Sequence, residues 1–305
     1  MPFTGIQGVD MWIILGLTLT VLALTAWYFY NKQQQAQTEA HFDQILGLRQ
    51  LIQLLRQHRR LSHSHLMKSR GETLPVFPEQ NAILSLSHTL LSQAGLEQKP
   101  MYRILTQHLQ QLSTEWPQYS MSRNQANHGK NIRHVMYLID DHLTTSLLIA
   151  DKSTLFEQYQ QFWPVTLNAL DTLAQFRSTV AVFRPGNNKQ EILLRRHLHL
   201  LQRRLGQMNL MLKIPGPSLM ADQLENDLTT LLQSASASKA CRLALYKFSL
   251  SLSDNIFYLF DAKLTEIAHA LAIEDFPLDI STSLLPLLEQ AESETAGQTE
   301  LKLQT

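Results

Sequence analysis

The chain has 305 residues, its 26 Lys+Arg balance 26 Asp+Glu, and only 17% of positions are charged. A protein that grips a nucleic-acid backbone carries a basic excess or stripe, so this balance argues against a nucleic-acid partner. One cysteine, Cys241, excludes an intramolecular disulfide and a thiolate metal cluster; beside Ala240, Leu243 and Ala244 it reads as a small buried hydrophobe.

In chain order, the first element is the uncharged run 11–30, MWIILGLTLTVLALTAWYFY. As a helix rising 1.5 Å per residue it is long enough for a hydrocarbon core of about 30 Å. Trp27, Tyr28 and Tyr30 gather at its end, where amphipathic rings favour the headgroup layer. A cleaved signal peptide needs basic residues before such a run and small residues after it, and neither is present. The expectation is a retained single-span anchor in the lipid bilayer of a bacterial inner membrane. Asp10 precedes it while Lys32 and Arg49 follow, which leans the body toward the cytoplasm.

Beyond the anchor, apolar residues recur at spacings of three and four and strand patterns are nearly absent. Breakers fall at RGETLPVFP (70–78), AGLEQKP (94–100), EWPQYS (115–120), FRPGNN (183–188) and KIPGPS (213–218). They predict helices over 10–69, 79–95, 99–114, 120–150, 152–184, 188–212, 218–235 and 238–273. Long amphipathic helices joined by short loops make up-and-down bundles. The predicted fold is all-α, an N-terminal transmembrane helix followed by two four-helix bundles that share long helices across 31–275. The polar segment SETAGQTELKLQT closes a region, 277–305, predicted to be a disordered tail.

Two arginines interrupt this pattern. Ile45, Leu48, Ile52, Leu55, Arg59, Ser62 and Leu66 alternate at spacings of three and four, a core seam on which Arg59 and Ser62 occupy consecutive slots. Arg60 falls about 100° round the helix, toward the flank. In 163–183, Trp163, Leu167, Leu170, Ala174, Arg177 and Ala181 form a similar seam beside the apolar row Ala169, Leu173, Phe176, Val180 and Phe183. A guanidinium inside a bundle is costly unless its charge and donors are satisfied. One solution is a structural ion pair, with Asp140, Asp141, Asp171 and Asp254 as candidate partners. The other is that both forks converge on one small planar oxyanion, with the Ser62 hydroxyl as a further donor.

LRQHRRLSHSHL (55–66) and LDTLAQFRSTVAVF (170–183) resemble two motifs of the bacterial nitrate- and nitrite-sensing (NIT) domain family, close to LQxERGxSxxxL and LGxxRxxxxxxL. Arg59, Ser62 and Arg177 stand at the family positions; His58 replaces the glutamate and Arg60 the glycine. The resemblance spans about 40–275 and implies two four-helix bundles that hold nitrate or nitrite between helices through Arg59 and Arg177. With Ser62 and Arg60 beside them, these four make the candidate ligand site. The family feeds its signal to an attached output module, and none is visible here. The expectation is a sensor, not an enzyme, that needs no cofactor, signals through a separate protein and forms a possible homodimer.

Other constellations read as structural. His58, His63 and His65 diverge round a helix and cannot share one ion, so they form a solvated or partly buried cluster. NIRHVMYLIDDHL (131–143) aligns His134, Leu138, Asp141 and His142, and Asp141 is better placed as an arginine partner than as a metal ligand. EIAH (266–269) is one Glu-x-x-His without the second copy that a di-iron bundle needs. LLRRHLHLLQRR (193–204) spreads its arginines round the helix, as for a solvated surface or an acidic partner helix.

Overall fold

In the computed structural model, which describes residues 6–67, 77–212, 219–234, 238–273 and 276, the three-and-four periodicity becomes eight α-helices, with no strand among the described residues. They are α1 (Ile6–Met67), α2 (Pro78–Gln93), α3 (Lys99–Glu115), α4 (Met121–Ile149), α5 (Ser153–Val182), α6 (Asn188–Leu212), α7 (Leu219–Ser234) and α8 (Ser238–Ala270). Local chemistry sets the boundaries. Pro78 and Pro100 sit in the first turns of α2 and α3, where no intrahelical donor is needed. The Ser120 Oγ accepts from Arg123 N at 3.1 Å and caps α4. Gly186, at φ +80°, turns the chain between α5 and α6 in a conformation that costs glycine little.

The helices sort into two groups of four. The second half of α1 packs with α2 and α4, and α3 closes the set against α2 and α4; α5, α6 and α8 pack together and α7 covers α6 and α8. The expected sharing of long helices is not seen. Each bundle has its own four, and the two meet where α4 packs on α5 and where α1 side chains reach α8. Apolar faces fuse across this junction into one contiguous core.

Inside it, the α1 seam is buried as far as Ser62, while Leu66 is half-buried. On α5 the buried row is Ala169, Leu173, Phe176, Val180 and Phe183. The other row runs along the core's edge, where Ala174 is exposed while Trp163 and Arg177 are buried. α1 and α2 approach closely at Gly47, where an added Cβ would lie 2.7 Å from Leu90 Cδ2. Gly47→Leu overfills this contact and is expected to lower the urea midpoint by an amount worth about 1–3 kcal/mol. An unchanged midpoint would show that the two helices separate freely.

Residues 15–30 of α1 are exposed along their whole length, including Leu17, Leu22, Trp27 and Phe29. Thr18, Thr20 and Thr25 turn their hydroxyls back onto carbonyls of their own helix. Among the described residues no helix is long and apolar enough to cross a membrane. The side chains of 11–14 lie outside the described set, and 15–30 alone rises about 24 Å, short of a core of about 30 Å. The predicted tail, 277–305, also lies outside the described residues.

Candidate functional site

Arg59 comes from α1 and Arg177 from α5, and both line one cavity of about 310 Å³ at the junction of the bundles. They are 4% and 5% exposed. Arg177 donates from Nε to Ser249 Oγ at 3.0 Å and from Nη2 to Ser249 O at 2.9 Å. The Ser249 hydroxyl in turn donates to Tyr246 O at 2.7 Å, which fixes it as an acceptor for the guanidinium. Arg59 is less provided for, because its buried Nε has no hydrogen-bond partner. The Tyr246 ring stacks on His63, 3.6 Å between centroids, and its side chain helps to hold the Arg59 charge.

Neither arginine forms an ion pair among the described residues, and the four expected carboxylates are engaged elsewhere. Asp254 pairs with Arg56, and Asp171 with Arg133. Asp140 accepts from the Tyr159 hydroxyl at 2.9 Å and Asp141 from Gln98 Nε2 at 2.6 Å. The buried carboxylate Asp261 takes both Nε and Nη2 of Arg49, each at 2.5 Å. The two cavity arginines are therefore buried cations without a carboxylate in contact. Burial pushes the Arg177 guanidinium well below its usual range, and the Arg59 charge adds to that push. Burial also lowers Arg59. An anion between them would relieve both strains at once.

The other two sequence candidates are not part of the lining. The Ser62 hydroxyl is spent within the fold, donating to Arg59 O at 3.2 Å and accepting from Asn124 Nδ2 at 2.9 Å. Arg60 is half-buried on the flank, as its angular position predicts. Residues that the sequence did not single out complete the cavity. Gln125 and Ser253 line it, are buried, and leave Gln125 Oε1 and Ser253 Oγ without hydrogen-bond partners. Ser249 and Ser253, four apart on an apolar helix, were the available signal.

Behind Arg59 the histidines form a one-way chain. His128 Nδ1 lies 2.8 Å from Asn124 O and must donate to it, so His128 Nε2 accepts from His58 Nδ1 at 2.9 Å. His58 Nε2 then accepts from Gln80 Nε2 at 3.2 Å. Every member is neutral in this arrangement. Burial lowers His58 to about 4 and His128 well below its usual value. His63, lowered to about 4 by burial and then by Arg177 and Arg59, accepts from Gln125 Nε2 at 3.0 Å. Of the cluster expected to be solvated or partly buried, His58 and His63 are buried and His65 is half-buried, because α4 supplies polar partners for His58 and His63. Among the described residues no three His, Cys, Asp or Glu side chains are placed to hold a metal. The arginine-rich α6 finds its acidic partner within the chain, Arg195 meeting Glu225 of α7 at 2.7 Å.

No family model, curated protein or solved structure matches the chain.

Proposed function

We propose that this protein is a membrane-anchored sensor that holds a small planar oxyanion between its two bundles and signals through a separate protein. The observation that carries the reading is the pair of buried guanidinium groups, Arg59 and Arg177, lining one cavity with no carboxylate in contact. Buried charges without a carboxylate in contact are costly even with Asp254, held by Arg56, in the neighbourhood, and a site that gains on meeting an anion is a physical reason to keep them. Nitrate and nitrite are the ligands that the motif resemblance implies. The ligand would touch α1 and α5, one helix from each bundle, and so would bias their packing. The uncharged apolar run 11–30, exposed over 15–30, supports the anchor.

The test is thermal unfolding of the full-length chain in detergent with sodium nitrate, nitrite or chloride at equal ionic strength. Nitrate or nitrite should raise Tm beyond chloride, and Arg59→Met and Arg177→Met should each abolish the difference. Both variants should be no less stable than the parent without ligand, since each removes an unpaired buried charge. The opposite result, ligand-independent Tm with both variants destabilised, is the signature of a scaffold in which these arginines hold the fold without a ligand. The Arg49–Asp261 pair is the observation that favours that second reading for the junction as a whole.

A further inference from the structure

The shape of the cavity says more about the ligand than its charge does. A dry cavity of about 150 Å³ is enough for a benzene ring, and this one holds about 310 Å³. Nitrate, with four heavy atoms, would leave most of it unfilled. The lining has a buried part and an exposed part. Arg59, Arg177 and Ser253 and the apolar side chains Ile132, Leu173 and Phe257 are all buried. At the outer end Ala126, Lys130, Ala174 and Ser178 are exposed, where α4 faces α5. The small residues on both helices keep this mouth open, and the Arg133–Asp171 ion pair is part of the lining, its charges set against each other. Three unsatisfied buried polar atoms point to an occupant: Arg59 Nε, Gln125 Oε1 and Ser253 Oγ, all on lining residues.

A bare oxyanion serves the arginines and leaves water against the apolar wall, which is unfavourable. A carboxylate offers the guanidinium groups the same planar pair of oxygens and carries a body that covers the wall. Resting on the anion-binding reading above, we infer that the site takes a carboxylate with a short unbranched apolar body, its head at Arg59 and Arg177 and its tail toward the mouth between α4 and α5. Discrimination follows from the two ends. The arginines reject neutral molecules, and each methylene that enters the apolar section strengthens binding about fourfold until the space is filled.

The experiment is calorimetric titration of the full-length chain in detergent with nitrate, acetate, butyrate and hexanoate, and with neutral hexanamide, at constant ionic strength. Affinity should climb from acetate to hexanoate and exceed that of nitrate, hexanamide should not bind, and Arg177→Met should remove the series. A second variant probes shape without disturbing the fold. A Cβ at Gly129 meets nothing within 4 Å, so Gly129→Leu adds a side chain to open space in the lining and improves the helix propensity of α4. In that variant hexanoate should lose its advantage over acetate while acetate binds as before. If nitrate binds in an Arg177-dependent way and the longer acids bind no better than acetate, the anion site stands and the carboxylate inference is overturned. A rising series that survives Arg177→Met locates the acids elsewhere and overturns it too. If no anion binds at all, the sensor reading itself has failed.

Discussion

Asp261→Ala should cost about 3–5 kcal/mol of stability in a urea titration, the largest loss expected from any single polar substitution here. The Arg49 guanidinium grips Asp261 with two parallel hydrogen bonds of 2.5 Å, and both residues are almost wholly buried, 3% and 4% exposed. Phe257 adds a ring face, 5.1 Å from the guanidinium carbon to the centroid. Removing the carboxylate strands a cation in a dry site, and the penalty is that desolvation rather than the worth of the pair. The double variant Arg49→Met, Asp261→Leu removes both charges and should recover most of the loss. A small effect of Asp261→Ala, or no recovery in the double variant, would overturn the account. This behaviour contrasts with that expected at Arg177, where no carboxylate is lost because none is in contact. Arg49→Met alone would leave Asp261 buried and unpaired and should be destabilising, whereas Arg177→Met strands no carboxylate.

Stability should also fall steeply with acid. His58, His63 and His142 titrate near 4 in the folded chain, and His128 well below the ordinary value, in each case chiefly through burial. In the unfolded chain each takes a proton near 6.5. Below that pH the unfolded state binds more protons than the folded one, so the linkage favours unfolding. The contribution is complete above about pH 6.5 and is lost as pH falls from there toward 4. Each histidine adds a slope approaching about 1.4 kcal/mol per pH unit, so a group of them is worth roughly several kcal/mol by pH 5. Urea midpoints at pH 7, 6 and 5 measure it, and His58→Gln should flatten the dependence by one histidine's share. Equal midpoints at pH 7 and pH 5 would mean that these imidazoles are not buried neutral.

The helices were legible because each announces itself locally. Seam positions recur within one segment, and breakers such as the Pro-Gly of 185–186 stop the chain whatever packs against it. Arg59 and Arg177 were legible for the same reason, since a face is a property of one helix. What the sequence hid was rotation and register between segments far apart in the chain. Asp254 meets Arg56 rather than Arg59, one turn further along α1, and nothing in either helix alone selects between them. Arg49 read as a flanking charge that would orient an anchor; it is the buried partner of Asp261. Gln125 and Ser253 are ordinary helical polar residues until α4 and α8 bring them round one cavity, and Ser249 is one until Arg177 of α5 donates to it. How deeply the histidines are buried was hidden for a similar reason, because Asn124 and His128 come from α4.

The exposed apolar run 15–30 and Arg59 belong to one helix, Ile6–Met67, that contains no proline and no interruption. Such a helix resists stretching and has no proline joint in which to absorb a displacement. An axial slide or a twist imposed at Arg59 therefore reaches the apolar end, about 45 Å away at 1.5 Å per residue, undiminished. If the site binds an anion as proposed, α1 would act as a pushrod, with Arg59 at one end and the bare apolar shaft at the other.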